Sequence, residues 1–95
     1  MTDSWKAIER LVAELVGGRR SWETDIDVMT GGWGLEVKHL TAPTIADIER
    51  FLIHNATKTE PLGLRNGLVV KRRAGRGRAT PLLLIVPLVS EEERL

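Results

Sequence analysis

Apolar and polar residues alternate in two short runs, 25–28 (DIDV) and 35–38 (LEVK), within the segment from residue 22 to residue 38, WETDIDVMTGGWGLEVK, which has two glycines near its centre. This alternation is typical of β-strands with one buried face, and a Gly-Gly pair is a common two-residue hairpin turn. A symmetric turn at Gly31-Gly32 predicts that Asp27 lies directly opposite Glu36. The apolar face of the hairpin would then consist of four residues, Ile26, Val28, Leu35 and Val37.

The polar face of this predicted hairpin carries an excess of negative charge. Asp27 and Glu36 would face each other with Cβ atoms roughly 5 Å apart, where like charges destabilise a sheet unless a cation lies between them. A divalent metal ion is the cation that this arrangement favours. In the same register Asp25 would pair with Lys38, and Asp25 becomes an alternative carboxylate ligand if a β-bulge shifts the pairing.

Apolar residues at helical spacing precede the hairpin and predict a first helix from Trp5 to Val16. Asp3 or Ser4 can cap its start, and the glycine pair at 17–18 can end it. On a helical wheel Glu9 lies at the edge of the apolar stripe, so it can point toward the sheet.

A second helix is predicted after the hairpin, because Thr44 and Asp47 have the spacing of a capping box with Asp in place of the usual Glu. Its apolar face is formed by Ile45, Ile48, Leu52 and Ala56. Segments 67–71 and 81–86 are rich in β-branched residues and leucine and predict two further strands. The expected order is α-β-β-α-β-β, an α/β fold in which two helices flank a mixed sheet.

The 95 residues are enough for a single domain, 1–95, with one core. The absence of cysteine excludes disulfides, thiolate zinc sites and cysteine nucleophiles. No apolar run is long enough to span a bilayer and no signal-peptide pattern is present, so a cytoplasmic location is expected. The glycine clusters fit neither the Walker nor the dinucleotide-binding pattern, which argues against a nucleotide cofactor.

Charge is distributed unevenly along the chain. Residues 1–60 contain ten acidic and seven basic residues, whereas residues 61–90 contain six basic residues and no acidic one. The cluster at 71–78 can be a solvated hairpin loop, or it can be an arm that contacts the phosphates of a polyanion. On the second interpretation the DNA contacts would be Arg19, Arg20, Lys71, Arg72, Arg73, Arg76 and Arg78.

A helix with an inward Glu9, then Asp27, then Glu36-Val37-Lys38 and a second helix resembles the PD-(D/E)xK nuclease superfamily. The likeness is to its small Holliday junction resolvase-like members, which are common in phages and archaea. Segment 8–20, IERLVAELVGGRR, is similar to their first helix and turn, and segment 35–39, LEVKH, is similar to their Glu-Val-Lys strand. The resemblance covers nearly the whole chain and implies a restriction-endonuclease-like, three-layer core.

This resemblance implies a metal-dependent endonuclease that acts as a homodimer on branched DNA, in a host cytoplasm if the chain is phage-encoded. Mg²⁺ or Mn²⁺ would be ligated by Asp27, Glu36 and the backbone carbonyl of Val37, since hard cations prefer oxygen ligands. Lys38 would orient the attacking water and oppose charge on the phosphate, and Glu9 would contact the ion through water or bind a second ion. Ile26 departs from the family pattern, which has proline before the aspartate.

Three other functions compete with a junction-specific nuclease. The same scaffold could be a less selective DNA nuclease. It could also be a non-catalytic DNA-binding module, in which the carboxylates are structural and the basic arm alone contacts DNA. A third possibility is an interaction protein whose acidic face docks a basic partner.

Overall fold

A computed structural model of the chain describes residues 5–21, 25–74 and 79–88. Two α-helices, a short 3-10 helix and five strands follow one another as α1 (Trp5–Val16), β1 (Arg19–Arg20), β2 (Val28–Thr30), β3 (Trp33–Leu40), α2 (Ile45–Thr59), the 3-10 helix (Glu60–Leu62), β4 (Arg65–Arg72) and β5 (Leu82–Ile85). The strands form one sheet in chain order, in which β3 and β4 are parallel and the other neighbours are antiparallel. The predicted α/β class with a mixed sheet is confirmed.

The two-residue strand β1 is an addition to the predicted order. It pairs with β2 through Arg19–Met29 and Arg20–Val28. Gly17 ends α1 in a left-handed conformation with φ 68°, as predicted, and turns the chain toward β2. A Cβ on Gly18 would lie 2.4 Å from the Met29 carbonyl oxygen, so this close approach requires glycine. Two residues are too few for an alternation pattern, which is why the sequence does not indicate β1.

Helix α1 packs its apolar side on one face of the sheet. The core cluster on this face joins residues of α1 to residues of β2, β3 and β4: Ile8, Val12, Ala13, Val28, Leu35, Val37 and Val69. The predicted N-cap residues of α1, Asp3 and Ser4, lie outside the described part of the chain. Ile8 and Val12 of the predicted apolar stripe are buried, but Leu11, Leu15 and Val16, which also belong to it, are exposed, so the stripe predicts the packing of α1 only in part.

The hairpin between β2 and β3 has the predicted turn and register. Thr30 pairs with Trp33, and Val28 pairs with Leu35. Both turn glycines have positive φ, 43° for Gly31 and 87° for Gly32, the conformation that a tight hairpin of this type requires at both positions.

The predicted alternation fails at Ile26, on the N-terminal side of β2. The ladder begins at Val28, and Ile26 lies against Gly34, whose Cβ would be 3.3 Å from the Ile26 Cδ1 atom. Gly34 belongs to the face of β3 opposite Leu35, so Ile26 and Val28 pack on opposite faces of the sheet. Alternation holds only within a strand, and residues 25–27 are not part of β2.

Helix α2 covers the face of the sheet opposite α1, which gives the molecule three layers. It begins with the predicted capping box, in which Thr44 Oγ1 accepts from the Asp47 N–H at 3.1 Å and Asp47 Oδ2 accepts from the Thr44 N–H at 2.9 Å. Asn55 and Thr59 are fully buried, and Asn55 Nδ2 donates to the Gly34 carbonyl at 3.1 Å.

The predicted apolar face of α2 is wrong at its first residue, Ile45, which is 72% exposed. The buried side is centred on Asn55 and Thr59, because Asn55 can hydrogen-bond the backbone of the sheet and Thr59 packs on Gly34. Neither helix in the described ranges has the length and apolar character needed to cross a membrane.

Candidate active site

Asp27 immediately precedes β2 and lies beside the middle of β3. Its Oδ2 atom accepts a hydrogen bond of 2.8 Å from the backbone N–H of Val37. In the observed register Val37 would pair with residue 26, but the ladder stops at Val28, so the Asp27 carboxylate replaces the missing backbone acceptor. The prediction that Asp27 and Glu36 form a cross-strand pair is therefore corrected: Asp27 lies outside the ladder and is fixed by its side chain.

Glu36 is buried on the α2 side of β3, with 6% of its surface exposed. Its Oε2 atom lies 3.3 Å from Nζ of Lys38, two residues further along the strand. Its Oε1 atom lies 3.4 Å from Nζ of Lys58, in the last turn of α2. Each carboxylate oxygen of Glu36 therefore has an ammonium neighbour.

Lys58 is the site residue that sequence reasoning missed. It follows Phe51 by seven residues, which places both on the same side of α2, and Nζ of Lys38 lies 4.8 Å from the Phe51 ring centroid. The spacing shows in the sequence that Lys58 and Phe51 share a side of α2, but only the packing of α2 shows that this side faces Lys38 and Glu36.

Glu9 points inward from α1, as the helical wheel predicts, and is only 6% exposed. Its Oε1 atom accepts from Nε of Arg20 at 3.2 Å. Arg20 of β1, predicted as a DNA contact, is thus paired with Glu9 of α1. Its neighbour Arg19 is exposed.

The pKa values of Asp27 and Glu9 are both raised. Burial raises the pKa of Asp27, and repulsion from Glu36 raises it further. The hydrogen bond from the Val37 N–H lowers this pKa and offsets part of the increase. Burial also raises the pKa of Glu9, followed by repulsion from Asp27. Carboxylates that share a partly desolvated region favour either protonation or a bound cation.

Asp25 does not form the predicted ion pair. Among the described residues Lys38 is paired with Glu36, so the expected ion pair between Asp25 and Lys38 is wrong. The Asp25 side chain is exposed, and its backbone carbonyl accepts from Nζ of Lys58 at 3.0 Å. A cleft of about 760 Å³ opens at this point and is lined by Asp25, Ile26, His54, Thr57, Lys58, Pro61 and Leu62.

The predicted basic arm leaves the sheet between β4 and β5. Nζ of Lys71 donates to the carbonyl and to Oγ1 of Thr80, both at 3.0 Å, so Lys71 ties the two ends of the arm together. Arg72 and Arg73 are exposed. The remaining predicted contacts, Arg76 and Arg78, lie outside the described residues.

The donor set suits a hard divalent cation with few protein ligands. No group of three or more His, Cys, Asp and Glu side chains within the described ranges is arranged to hold a metal ion. The ligands expected here are two carboxylates, Asp27 and Glu36, and the Val37 carbonyl. This small set is compatible with Mg²⁺, which typically binds one or two carboxylates and keeps several waters. In an antiparallel ladder a residue's N–H and C=O face the same neighbour, so the Val37 carbonyl faces the same side as the N–H that binds Asp27.

Comparison of the chain with protein-family models, with curated proteins and with solved structures finds no match. The resemblance to PD-(D/E)xK nucleases therefore stays a prediction from sequence motifs. A function for the chain has to be argued from the site itself.

Proposed function

We propose that this chain is a metal-dependent endonuclease that hydrolyses DNA phosphodiester bonds, with branched DNA such as a four-way junction as its preferred substrate. The observation that carries the proposal is the placement of the Asp27 carboxylate on the backbone N–H of Val37, the residue between Glu36 and Lys38, whose side chains form an ion pair. Perturbed carboxylates with a lysine within ion-pair distance are typical of active sites.

Asp27, Glu36 and the Val37 carbonyl would hold the cation, Mg²⁺ or Mn²⁺. When bound, such a cation lowers the pKa of water and offsets charge on a phosphodiester. The hydrogen bond from Val37 N–H to Asp27 Oδ2 orients the Asp27 carboxylate toward β3 before any cation arrives. Preorganised ligands of this kind reduce the reorganisation that catalysis would otherwise require.

Lys38 would act on the phosphate. Its Nζ atom lies 3.3 Å from Glu36 Oε2, and the side chain is 34% exposed, so the ammonium can approach an incoming strand. A cation at this position opposes the negative charge that develops on the phosphate and orients the water that attacks it. Glu9 and its partner Arg20 add a second charged pair near Asp27.

DNA would be held through its phosphates, which is compatible with recognition of shape rather than of base sequence. The exposed residues Arg19, Arg72 and Arg73 are available for this contact. A homodimer would supply the two sites that symmetric cleavage of a junction needs. The proposal includes a restriction-endonuclease-like fold and a cytoplasmic location, in a host cell if the chain is phage-encoded.

A second candidate is a non-catalytic DNA-binding module. The observation in its favour is that Glu9 and Glu36 already have cationic partners: Arg20 for the first, and Lys38 and Lys58 for the second. Carboxylates paired in this way can be structural. This alternative predicts DNA binding without cleavage.

The proposed function is tested by incubating the protein with an end-labelled four-way junction and with a linear duplex of the same sequence. We expect paired nicks in the junction with Mg²⁺ or Mn²⁺ and none with EDTA. Equal cleavage of the duplex would indicate the less selective nuclease. Binding to the junction without nicking under either metal would contradict an endonuclease and support the binding module.

A further inference from the structure

Lys58 joins three separate parts of the molecule. Its side chain starts in the last turn of α2, and its Nζ atom lies 3.4 Å from Glu36 Oε1 in β3 and 3.0 Å from the Asp25 carbonyl oxygen. Asp25 stands two residues before Asp27, in a segment that lies outside the β2 ladder. The Lys58 ammonium thus contacts the expected cation ligand Glu36 directly, and it contacts the backbone two residues before the other expected ligand, Asp27.

Lys58 and Lys38 share Glu36 but are placed differently. Lys38 comes from the same strand as Glu36, and 34% of its side chain is exposed, against 20% for Lys58. A charge-assisted hydrogen bond is stronger where water competes less. Lys58 is therefore better suited to hold groups in place, and Lys38 is better suited to meet a substrate.

The segment 25–27 depends on such contacts for its position. Since the ladder begins at Val28, residues 25–27 are held by contacts outside it, which include the burial of Ile26, the bond from Val37 N–H to Asp27 and the bond from Lys58 to the Asp25 carbonyl. Asp25, Ile26 and Lys58 also line an open cleft. Without Lys58 the segment loses its bond to α2 at the border of that cleft.

We propose that Lys58 is a positioning residue, which fixes Glu36 and the backbone before Asp27 so that the two carboxylates can share one cation. This inference rests on the proposed function, because it assigns a role within the same site. It predicts that activity depends on a residue of α2 outside the Asp and Glu-x-Lys pattern. A positive charge of suitable reach at position 58 should be what matters.

The test compares Lys58→Met, Lys58→Arg and Arg50→Met. Methionine keeps the aliphatic stem and removes the charge, and Arg50 is a matched control, since it is a cation of the same helix paired with Asp47 on the surface. We expect Lys58→Met to lower kcat for junction nicking by about 10–100-fold, the usual effect of losing a residue that supports a metal ligand. The KM for the junction should change by less than about threefold, since phosphate contacts elsewhere remain.

Arginine should recover most of the lost kcat, and Arg50→Met should behave as the wild type. An independent readout is amide hydrogen exchange at Val37, whose N–H binds Asp27. We expect faster exchange there in Lys58→Met, with exchange in the rest of β3 and β4 unchanged. Circular dichroism and the Tm of each variant show whether it is folded.

Failure of the inference about Lys58 and failure of the proposed function give different results. If the wild type nicks the junction and Lys58→Met nicks it as fast as Arg50→Met does, the inference about Lys58 is overturned and the proposed function stands. If KM rises with no change in kcat, Lys58 contacts DNA rather than positioning the carboxylates, which also overturns the inference. If the wild type nicks under no metal, the proposed function fails and takes the role of Lys58 with it.

Discussion

Replacing Asp27 with asparagine should reduce junction nicking by about 10³-fold or more, because the change removes one of two carboxylate ligands for the cation. The fold should survive, since the asparagine carbonyl oxygen can still accept from the Val37 N–H, the bond that now fixes Asp27 at 2.8 Å. Single-turnover nicking rates with Mg²⁺ measure the loss. Binding of the junction in EDTA should be unchanged or slightly stronger, since a negative charge is removed near DNA.

The same substitution should stabilise the protein. Burial and repulsion from Glu36 raise the pKa of Asp27 above its ordinary value of 3.8, so the charged form destabilises the folded state at neutral pH. Asparagine removes that charge, and we expect the free energy of unfolding at pH 7 to rise by about 0.5–2 kcal/mol. Gain of stability with loss of activity is expected of a catalytic group whose charge is costly to bury.

The raised pKa of Asp27 determines how the free energy of unfolding changes with pH. A carboxyl group whose pKa is raised on folding binds protons more tightly in the folded chain, so stability rises as the pH falls from neutrality through that raised pKa. The gain ends below the ordinary pKa, where both states are protonated. Urea unfolding from pH 7 down to the ordinary pKa of 3.8 should therefore show increasing stability from Asp27 in the wild type and a smaller increase in Asp27→Asn.

Two companion variants make this result specific. Asp25→Asn changes the alternative ligand, whose carboxylate is exposed, and should retain nicking within about threefold. Glu14→Gln changes an exposed acid of α1 and should affect neither rate nor stability. Loss of nicking in Asp25→Asn with retention in Asp27→Asn would show that Asp25 is the principal ligand.

Replacing Lys38 with alanine should lower kcat by about 10²–10³-fold, the usual cost of removing one preorganised charge from an active site. Nζ of Lys38 lies 3.3 Å from Glu36 Oε2, and Glu36 keeps its second ammonium neighbour, Lys58, when Lys38 is removed, so we expect the variant to fold. Junction affinity should change little, since one phosphate contact among several is lost. The binding module makes the opposite prediction, in which Lys38→Ala leaves every DNA-dependent readout as it is in the wild type.

Lys38→Arg adds a useful comparison. Arginine keeps the charge but spreads it over a planar group, so we expect partial activity between the wild type and alanine. An unchanged rate in both variants, in a protein that does nick junctions, would show that Lys38 has no catalytic role.

The parts of this structure that the sequence predicted are those set by local geometry. A Gly-Gly turn fixes the register of its two strands, so the pairing of Val28 with Leu35 followed from the position of the glycines. Helical periodicity placed Glu9 on the inner side of α1, and the Thr44–Asp47 capping box marked the start of α2.

The parts that the sequence did not predict depend on tertiary contacts. Alternation cannot show where a strand begins, so the sequence could not reveal that Asp27 leaves the ladder and uses its side chain to bind Val37. Lys58 is 22 residues from Glu36, and only the packing of α2 across the sheet brings them together. The exposed Ile45 shows the same limit, because the buried side of α2 is chosen by hydrogen bonding of Asn55 to the sheet.

The most direct test of the central claim is a Mn²⁺ titration of the isotope-labelled protein followed by NMR. Mn²⁺ broadens resonances close to it even at low occupancy, so weak binding is detectable. We predict selective broadening of the amide resonances of Asp27, Glu36 and Val37, reversed by Mg²⁺ and absent in Asp27→Asn. Broadening at other residues only, or none at these three, would contradict a cation shared by Asp27 and Glu36.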